Sequence, residues 1–239
     1  MNMSNLMLAL IVGATLGVVF DILALWLPYR INQEESNWIA EVMNVKSDRV
    51  APVTFRAVLR DRNYRNPEQW TVFFLSITMV IVSSLHFGWS ARSIGLMIFA
   101  CGIVALAVID QRTKYLPDEL TLTMLWLGLL IQLNPAIQTI GIESAVLGAA
   151  FGYLSLWVTA YLFLKLRNKQ GVGHGDMKLM ALVGAWLGPL SIPIVLLVAC
   201  LLGLLWQFVA IMRDKAHSQD EFPFGPWIVV SSLAYLFLK

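Results

Sequence analysis

The stretch Gly171–Lys178, which reads GVGHGDMK, is followed by an apolar run that begins at Leu179. Three glycines at alternate positions give a backbone that can bend and can be approached closely. The carboxylate of Asp176 stands at the mouth of the apolar run, and an acid at such a place in a membrane helix is costly and indicates a function. Taken alone, a Gly-x-Gly turn fits a simple connector between two spans equally well.

The composition around this stretch is that of a membrane protein. The chain has 239 residues, of which 58% are hydrophobic and 13% are charged, whereas a soluble domain is about 45–50% apolar and about 25% charged. The net charge of +2 is too small to indicate a nucleic-acid partner. The two cysteines, Cys101 and Cys200, lie inside apolar runs, so they indicate neither a disulfide framework nor a metal site.

Eight apolar runs are candidate membrane spans, although two of them are short for the roughly 20 residues that cross a bilayer. We therefore predict an all-α, polytopic membrane protein with about eight transmembrane helices and one cytoplasmic loop or cap segment. The first run is expected to be a retained span and not a removed signal peptide. The predicted spans are Asn5–Leu27, Trp70–Phe87, Ser93–Ile109, Leu120–Leu133, Ile142–Leu164, Met177–Leu190, Ile192–Ile211 and Phe222–Leu238.

Lysine and arginine residues set the expected orientation, because they are enriched on the cytoplasmic side of a membrane. With the N-terminus outside, 15 of the 17 basic residues fall in inner segments. Only Arg92 and Lys239 then fall outside. This orientation places the one sizeable polar segment, about residues 28–69, on the inner side.

A second carboxylate, Asp110, follows the third predicted span and lies on the same inner side as Asp176. Two carboxylates at one depth can share a proton, because like charges a few ångströms apart do not both ionise. The ionised member can then activate a water while the protonated member donates to a carbonyl oxygen, which is aspartic-protease chemistry. Asp118 competes with Asp110 for this role, and spacing alone does not choose between them. The run Pro117-Asp118-Glu119 also fits a helix start, where acids are favoured.

Three motifs resemble those of the type IV prepilin leader peptidase family, whose members are GxGD-type intramembrane aspartic proteases. They are Asp110 with an LPD segment downstream at Leu116–Asp118, the GHGDMKL stretch at Gly173–Leu179, and FPFGP at Phe222–Pro226, where the family has IPFGP. The resemblance covers about residues 100–239. It implies that Asp110 and Asp176 are the catalytic pair.

Further site residues follow from the same resemblance. Gly173 and Gly175 are expected to shape the turn that presents Asp176. Lys178, which follows this acid along the chain, is expected either to favour its ionisation or to be one of the many inner-side lysines. The candidate wall of the substrate groove consists of Pro223, Phe224, Gly225 and Pro226.

The resemblance implies an enzyme of the bacterial inner membrane with a periplasmic N-terminus and an active site that faces the cytoplasm. Its substrate would be a type IV prepilin or a pseudopilin of type II secretion, from which it removes a short basic leader. The implied partners are this substrate, the lipid bilayer and the pilus or secretion assembly machinery. We expect residues 100–239 to form the peptidase core and residues 1–99 to hold the N-terminal spans and the 28–69 loop.

The N-terminal part departs from the family pattern. Many family members have a GSFLNVVIYRLP-like first span and a loop with two CxxC pairs, although some lack these cysteines. The family also N-methylates the new N-terminus with S-adenosylmethionine. Here Gly17–Pro28 is a degenerate version of the span and the loop has no cysteine, so a four-cysteine zinc site is impossible. No metal or cofactor is expected for the peptidase, and S-adenosylmethionine is expected only if methylation is retained.

Other interpretations of the chain remain open at this point, and one is a related GxGD-type peptidase that acts on a different membrane substrate. Intramembrane acids also occur in transport-type proteins that move ions or protons, and internal inverted repeats would favour that interpretation. A non-catalytic homologue that only escorts pilins would have the same motifs without the activity.

Overall fold

The computed structural model describes residues 3–42, 70–168, 171–213 and 223–238. Within these ranges the regular structure is entirely helical, which confirms the all-α class for this part of the chain. The helices are α1 (Met3–Val42), α2 (Trp70–Phe87), α3 (Ala91–Thr113), α4 (Asp118–Gln132), α5 (Ile142–Arg167), α6 (His174–Leu187), α7 (Ser191–Met212) and α8 (Gly225–Leu238).

Five of these helices are long and apolar enough to cross a membrane, namely α1 over Met3–Ile31, α2, α3, α5 and α7. Helix α8 is a shorter apolar helix. Helices α4 and α6 have 15 and 14 residues, fewer than the roughly 20 that span a bilayer. The protein is thus a helical membrane protein, and the count of about eight crossings stays a prediction.

Helix α1 extends further than the apolar run predicts. The run ends at Leu27, but the helix continues through Pro28 to Val42, although a proline inside a helix removes a backbone hydrogen bond. One contact at one-turn spacing crosses the proline, because the Arg30 guanidinium lies 5.2 Å from the Trp26 ring centre. Beyond the proline, Arg30 donates a hydrogen bond of 2.7 Å to Glu34. The predicted inner segment therefore begins as helix, while residues 43–69 lie outside the described ranges.

Helices α3 and α6 form the centre of the bundle. In α3, 78% of the most apolar stretch is buried inside the protein, compared with 17–28% in the other four candidate spans. In α6, every residue from 179 to 187 is buried. Phe99 of α3 stacks on Trp186 of α6 with ring centres 5.1 Å apart. The Trp186 indole N–H donates to the Met124 carbonyl of α4 at 2.9 Å, which satisfies a buried polar group.

Helix α5 packs very closely along α6, because glycine faces glycine at their contact. A Cβ atom added to Gly184 would overlap the carbonyl oxygen of Gly148, and one added to Gly148 would overlap the oxygen of Gly184. One turn further along α5, a Cβ on Gly152 would overlap the Met180 carbonyl oxygen. Small residues of this kind let membrane helices approach until their backbones are in van der Waals contact.

The change Gly184→Ala is expected to destabilise the protein, because the added methyl group meets backbone and not a side chain that can rotate away. Overpacking of a filled site costs about 1–3 kcal/mol, so the melting temperature in detergent should fall by at least about 2 °C. The matched control is Ala150→Val, which adds volume at an exposed position of α5. Equal melting temperatures for wild type and Gly184→Ala would contradict this close packing.

Candidate active site

Asp110 is buried near the C-terminal end of α3, with 5% of its surface exposed. The helix ends one turn later at Lys114, which has a left-handed backbone (φ 55°) and donates its N–H to the Asp110 carbonyl at 2.8 Å. The side-chain Oδ2 of Asp110 accepts a hydrogen bond of 3.1 Å from the Gly225 peptide N–H at the start of α8. The buried carboxylate needs a hydrogen-bond donor of this kind, because burying an unpaired charge costs much free energy.

Asp176 is the third residue of α6, and Gly173 is the N-cap of that helix. The Gly173 peptide N–H donates a hydrogen bond to the Asp176 carboxylate, as an acidic side chain at this position of a capping box does. The positive end of the helix dipole favours an acid here as well. The start of α6 therefore fixes both the position and the direction of this carboxylate.

Asp110 and Asp176 line the same cavity, which has a volume of about 280 Å³. Asp176 precedes the apolar run of α6, and burial, the largest cause, raises the pKa of its carboxyl to about 7. The neighbouring Asp110 charge adds to this rise, and the Gly173 N–H opposes it. The pair can therefore hold a proton near neutral pH. The other lining residues are Lys114, Tyr115, Leu116, Asp118, Gly173, His174, Gly175 and Lys178.

Gly173 and Gly175 make room for neighbouring groups. The backbone of Gly173 is extended, with φ −71° and ψ 143°, a conformation open to any residue. A Cβ atom on Gly175 would lie 3.1 Å from the Leu116 Cβ, and one on Gly173 would lie 3.3 Å from the Asp176 Oδ2. Neighbouring groups therefore approach both glycines closely, and the expectation that these glycines shape the turn stays a prediction.

Lys178 forms an ion pair with Asp118. Its Nζ lies 2.6 Å from both carboxylate oxygens, and the two side chains are 31% and 46% exposed. Asp118 is the first residue of α4, as the helix-start interpretation predicts. The expected influence of Lys178 on the ionisation of Asp176 stays a prediction. Sequence reasoning missed the partner that the structure gives to this lysine, which is 60 residues away along the chain.

Within the predicted groove wall, Gly225 is the residue that contacts Asp110. Besides the N–H hydrogen bond, a Cβ atom on Gly225 would lie 2.6 Å from the Asp110 Oδ2. Phe224 is half-buried against the core, Pro226 is the second residue of α8, and Phe222 lies outside the described residues. Pro223 lies just before α8, half-buried. The role of this segment as a groove wall stays a prediction.

The fold and the site together define a class of protein. It is a helical membrane protein in which two aspartates, at the end of one buried helix and the start of another, face a common cavity. Residues 97–208 match the family described as the type IV leader peptidase family, and both aspartates lie within the match. This part of the chain is therefore similar to the type IV leader peptidase family, which is the family that the three motifs resemble.

Several curated relatives carry the name prepilin leader peptidase/N-methyltransferase. The chain is 40% identical to the protein of Xanthomonas campestris over 170 residues, which are 70% of this chain and 57% of that protein. It is 40% identical to the Neisseria gonorrhoeae protein over 61% of this chain and 49% of that protein. The Dickeya chrysanthemi protein is 45% identical over 57% of this chain and 47% of its own length. The chain thus spans about half the length of these relatives. No solved structure matches it.

Proposed function

We propose that the chain is an aspartic endopeptidase of the membrane, with Asp110 and Asp176 as its catalytic pair. The observation that carries this proposal is that two carboxylates from separate helices share one small cavity. The match to the leader peptidase family supports it, because the matched residues include both acids. Gly173 and Gly175 are proposed to leave space around Asp176, and the Pro223–Pro226 segment to border the substrate.

The proposed reaction depends on one proton that the pair shares. The ionised carboxylate takes a proton from water while the water oxygen attacks the scissile carbonyl carbon, and the protonated carboxyl donates its proton to the carbonyl oxygen. When the tetrahedral intermediate collapses, the C–N bond breaks and the leaving nitrogen receives a proton from the pair. The products are a carboxylate and an amine, and the two acids titrate as one unit.

The proposed substrate is a type IV prepilin or a pseudopilin, in line with the names of the relatives. The bond to be cut would lie where an apolar helix leaves the membrane, and the cavity lies at the ends of two apolar helices. A helical substrate must unwind there, because its hydrogen-bonded carbonyl groups are shielded. Non-helical backbone at membrane depth is tolerated where it lines a protein-enclosed or water-filled cavity, and the turn before α6 and the connector before α4 would provide this.

The proposed setting is the bacterial inner membrane, with the N-terminus in the periplasm and the cavity open to the cytoplasm. The distribution of basic residues supports this orientation. The pilus or secretion assembly machinery is a proposed further partner. The boundary between an N-terminal region and a peptidase core, at residues 99 and 100, falls inside α3, so we propose it as a division of function within one helical bundle.

A second proposed activity is N-methylation of the new N-terminus, which the relatives' names include. S-adenosylmethionine would supply the methyl group from its sulfonium centre. A cavity of about 1010 Å³ lined by α1, α3 and α4 is large enough for a ligand of this size. Tyr29 and Tyr115 would offer rings for the adenine and Glu119 a carboxylate for the cation. Mass spectrometry of the mature pilin tests this activity, and a product without the mass of one methyl group contradicts it.

The rate of cleavage is expected to fall as the pH rises through about 7. Above this pH the carboxyl of Asp176, whose pKa is raised to about 7 by burial and by the Asp110 charge, loses its proton. The pair then has no acid to donate to the carbonyl oxygen. Leader removal measured in detergent between about pH 5 and about pH 9 checks this. A rate that continues to rise through this range would contradict the shared-proton mechanism.

Removal of the leader from a prepilin by membranes that contain the chain tests the proposed function. The peptidase proposal requires a shorter product. If several prepilins keep their leaders but still bind, the escort interpretation takes its place. If they neither bind nor lose the leader, the transport-type interpretation does.

A further inference from the structure

Asp118 and Lys178 form an ion pair at the rim of the catalytic cavity, and the proposed reaction gives neither of them a step. Both side chains line the cavity together with Asp110 and Asp176. The lysine comes from the second turn of α6 and the acid from the first residue of α4. The ammonium bonds both carboxylate oxygens at 2.6 Å, which is the geometry of a fully engaged charge pair.

A second contact joins the same two segments. Leu116, in the connector before α4, is buried, and its Cβ and Cδ1 atoms would lie 3.1 and 3.2 Å from a Cβ on Gly175. The connector is therefore held against the start of α6 by an apolar contact next to Asp176 and by an ion pair one turn later. The ion pair with Asp118 fixes the position of the Lys178 ammonium relative to Asp110 and Asp176.

The charged and titratable groups that face this cavity come from all the elements around it. They are Asp110 of α3, Lys114 and Tyr115 of the connector, Asp118 of α4, and His174, Asp176 and Lys178 of α6. A lysine ammonium is a point charge on a flexible stem. If the Asp118 carboxylate is removed, the acids that still line the cavity are Asp110 and Asp176, so the Lys178 ammonium can move towards them. A positive charge within ~4–6 Å of a carboxylate lowers its pKa by about 1–3 units.

We propose that Asp118 is a positioning residue that holds the Lys178 ammonium away from the catalytic pair and so preserves the proton that the pair shares. The proposal rests on the peptidase function proposed above. A half-exposed ion pair contributes little to stability, so loss of the Asp118 charge should alter the protonation of the pair more than the fold.

Three variants test the proposal, namely Asp118→Asn, Lys178→Met and the two changes combined. In Asp118→Asn, the pH at which cleavage falls should move down by about one unit, from about 7 to about 6, while most of the cleavage at about pH 5 is kept. Lys178→Met should keep the wild-type pH of this fall, because it removes the cation. For the same reason the double variant should return to the wild-type pH, although the ion pair is still absent.

Infrared titration of the protonated Asp176 carboxyl band gives a second measurement that does not depend on activity. The band is assigned by its loss in Asp176→Asn, and it should disappear about one pH unit lower in Asp118→Asn than in wild type. An unmoved band, or an equal shift in the double variant, would overturn the proposal. Loss of cleavage at every pH in a folded Asp118→Asn protein would also overturn it, because it would make Asp118 a catalytic acid. An inactive wild type would refute the peptidase function, and the infrared band would still test the ion pair.

Discussion

Replacement of Asp176 by asparagine is expected to reduce leader cleavage by about 10²–10⁴-fold, and replacement of Asp110 by asparagine should do the same. Each change keeps the size of the side chain but removes its ability to exchange a proton, so the pair can no longer provide both an acid and a base. The rate is measured with one prepilin at saturating concentration in detergent. Both variants should still bind the prepilin in a photo-crosslinking assay, because the cavity keeps its shape.

The matched control for these two variants is Asp118→Asn, which removes a third carboxylate from the same cavity. It should keep most of the cleavage at about pH 5, because its expected effect is on the pH range of cleavage and not on the chemical step. Loss of cleavage in Asp118→Asn together with full activity in Asp110→Asn would show that Asp118 is the first catalytic acid, the alternative that the sequence leaves open.

The change Gly225→Ala is expected to lower the cleavage rate by about 10²-fold while the protein stays folded. The added methyl group would lie 2.6 Å from the Asp110 Oδ2, so either this carboxylate or the start of α8 must move. A displacement of about 1 Å is enough for a loss of this size, because the pair and the attacking water need a fixed geometry.

The control for Gly225→Ala is Val230→Ala, at a position of α8 that is 48% exposed. Both variants are compared by their rate of leader removal and by their melting temperature. Equal cleavage rates for Gly225→Ala and wild type would show that the contact between α8 and Asp110 does not position the acid. A large fall in melting temperature would instead indicate a general effect on packing.

The sequence alone predicts the all-α class and the two acids for a physical reason. A carboxylate is costly beside an apolar run, and basic residues mark the side of the membrane on which each run ends. These two rules together assign Asp110 and Asp176 to the same side of the membrane. Local patterns also indicate Asp118 as the start of α4, because acids are favoured in the first helical turn.

Contacts between distant segments could not be predicted in this way. The hydrogen bond from Gly225 to Asp110 joins residues 115 positions apart, and the ion pair of Lys178 with Asp118 joins residues 60 positions apart. Both depend on which helices pack together, and hydrophobic periodicity does not specify this. The continuation of α1 beyond Pro28 was not predicted, because the prediction used the apolar run, which ends at Leu27. The contacts within this part of the helix, such as the ion pair of Arg30 with Glu34, lie beyond that run.

The most direct test of the catalytic pair is mass spectrometry of one prepilin after incubation with membranes that contain either the wild-type chain or the Asp176→Ala variant. Wild type alone is expected to yield two products whose masses sum to the prepilin plus one water, because hydrolysis adds one water to the cut bond. An intact prepilin with wild-type membranes, or equal cleavage with both membranes, would contradict the assignment of Asp110 and Asp176 as a catalytic pair.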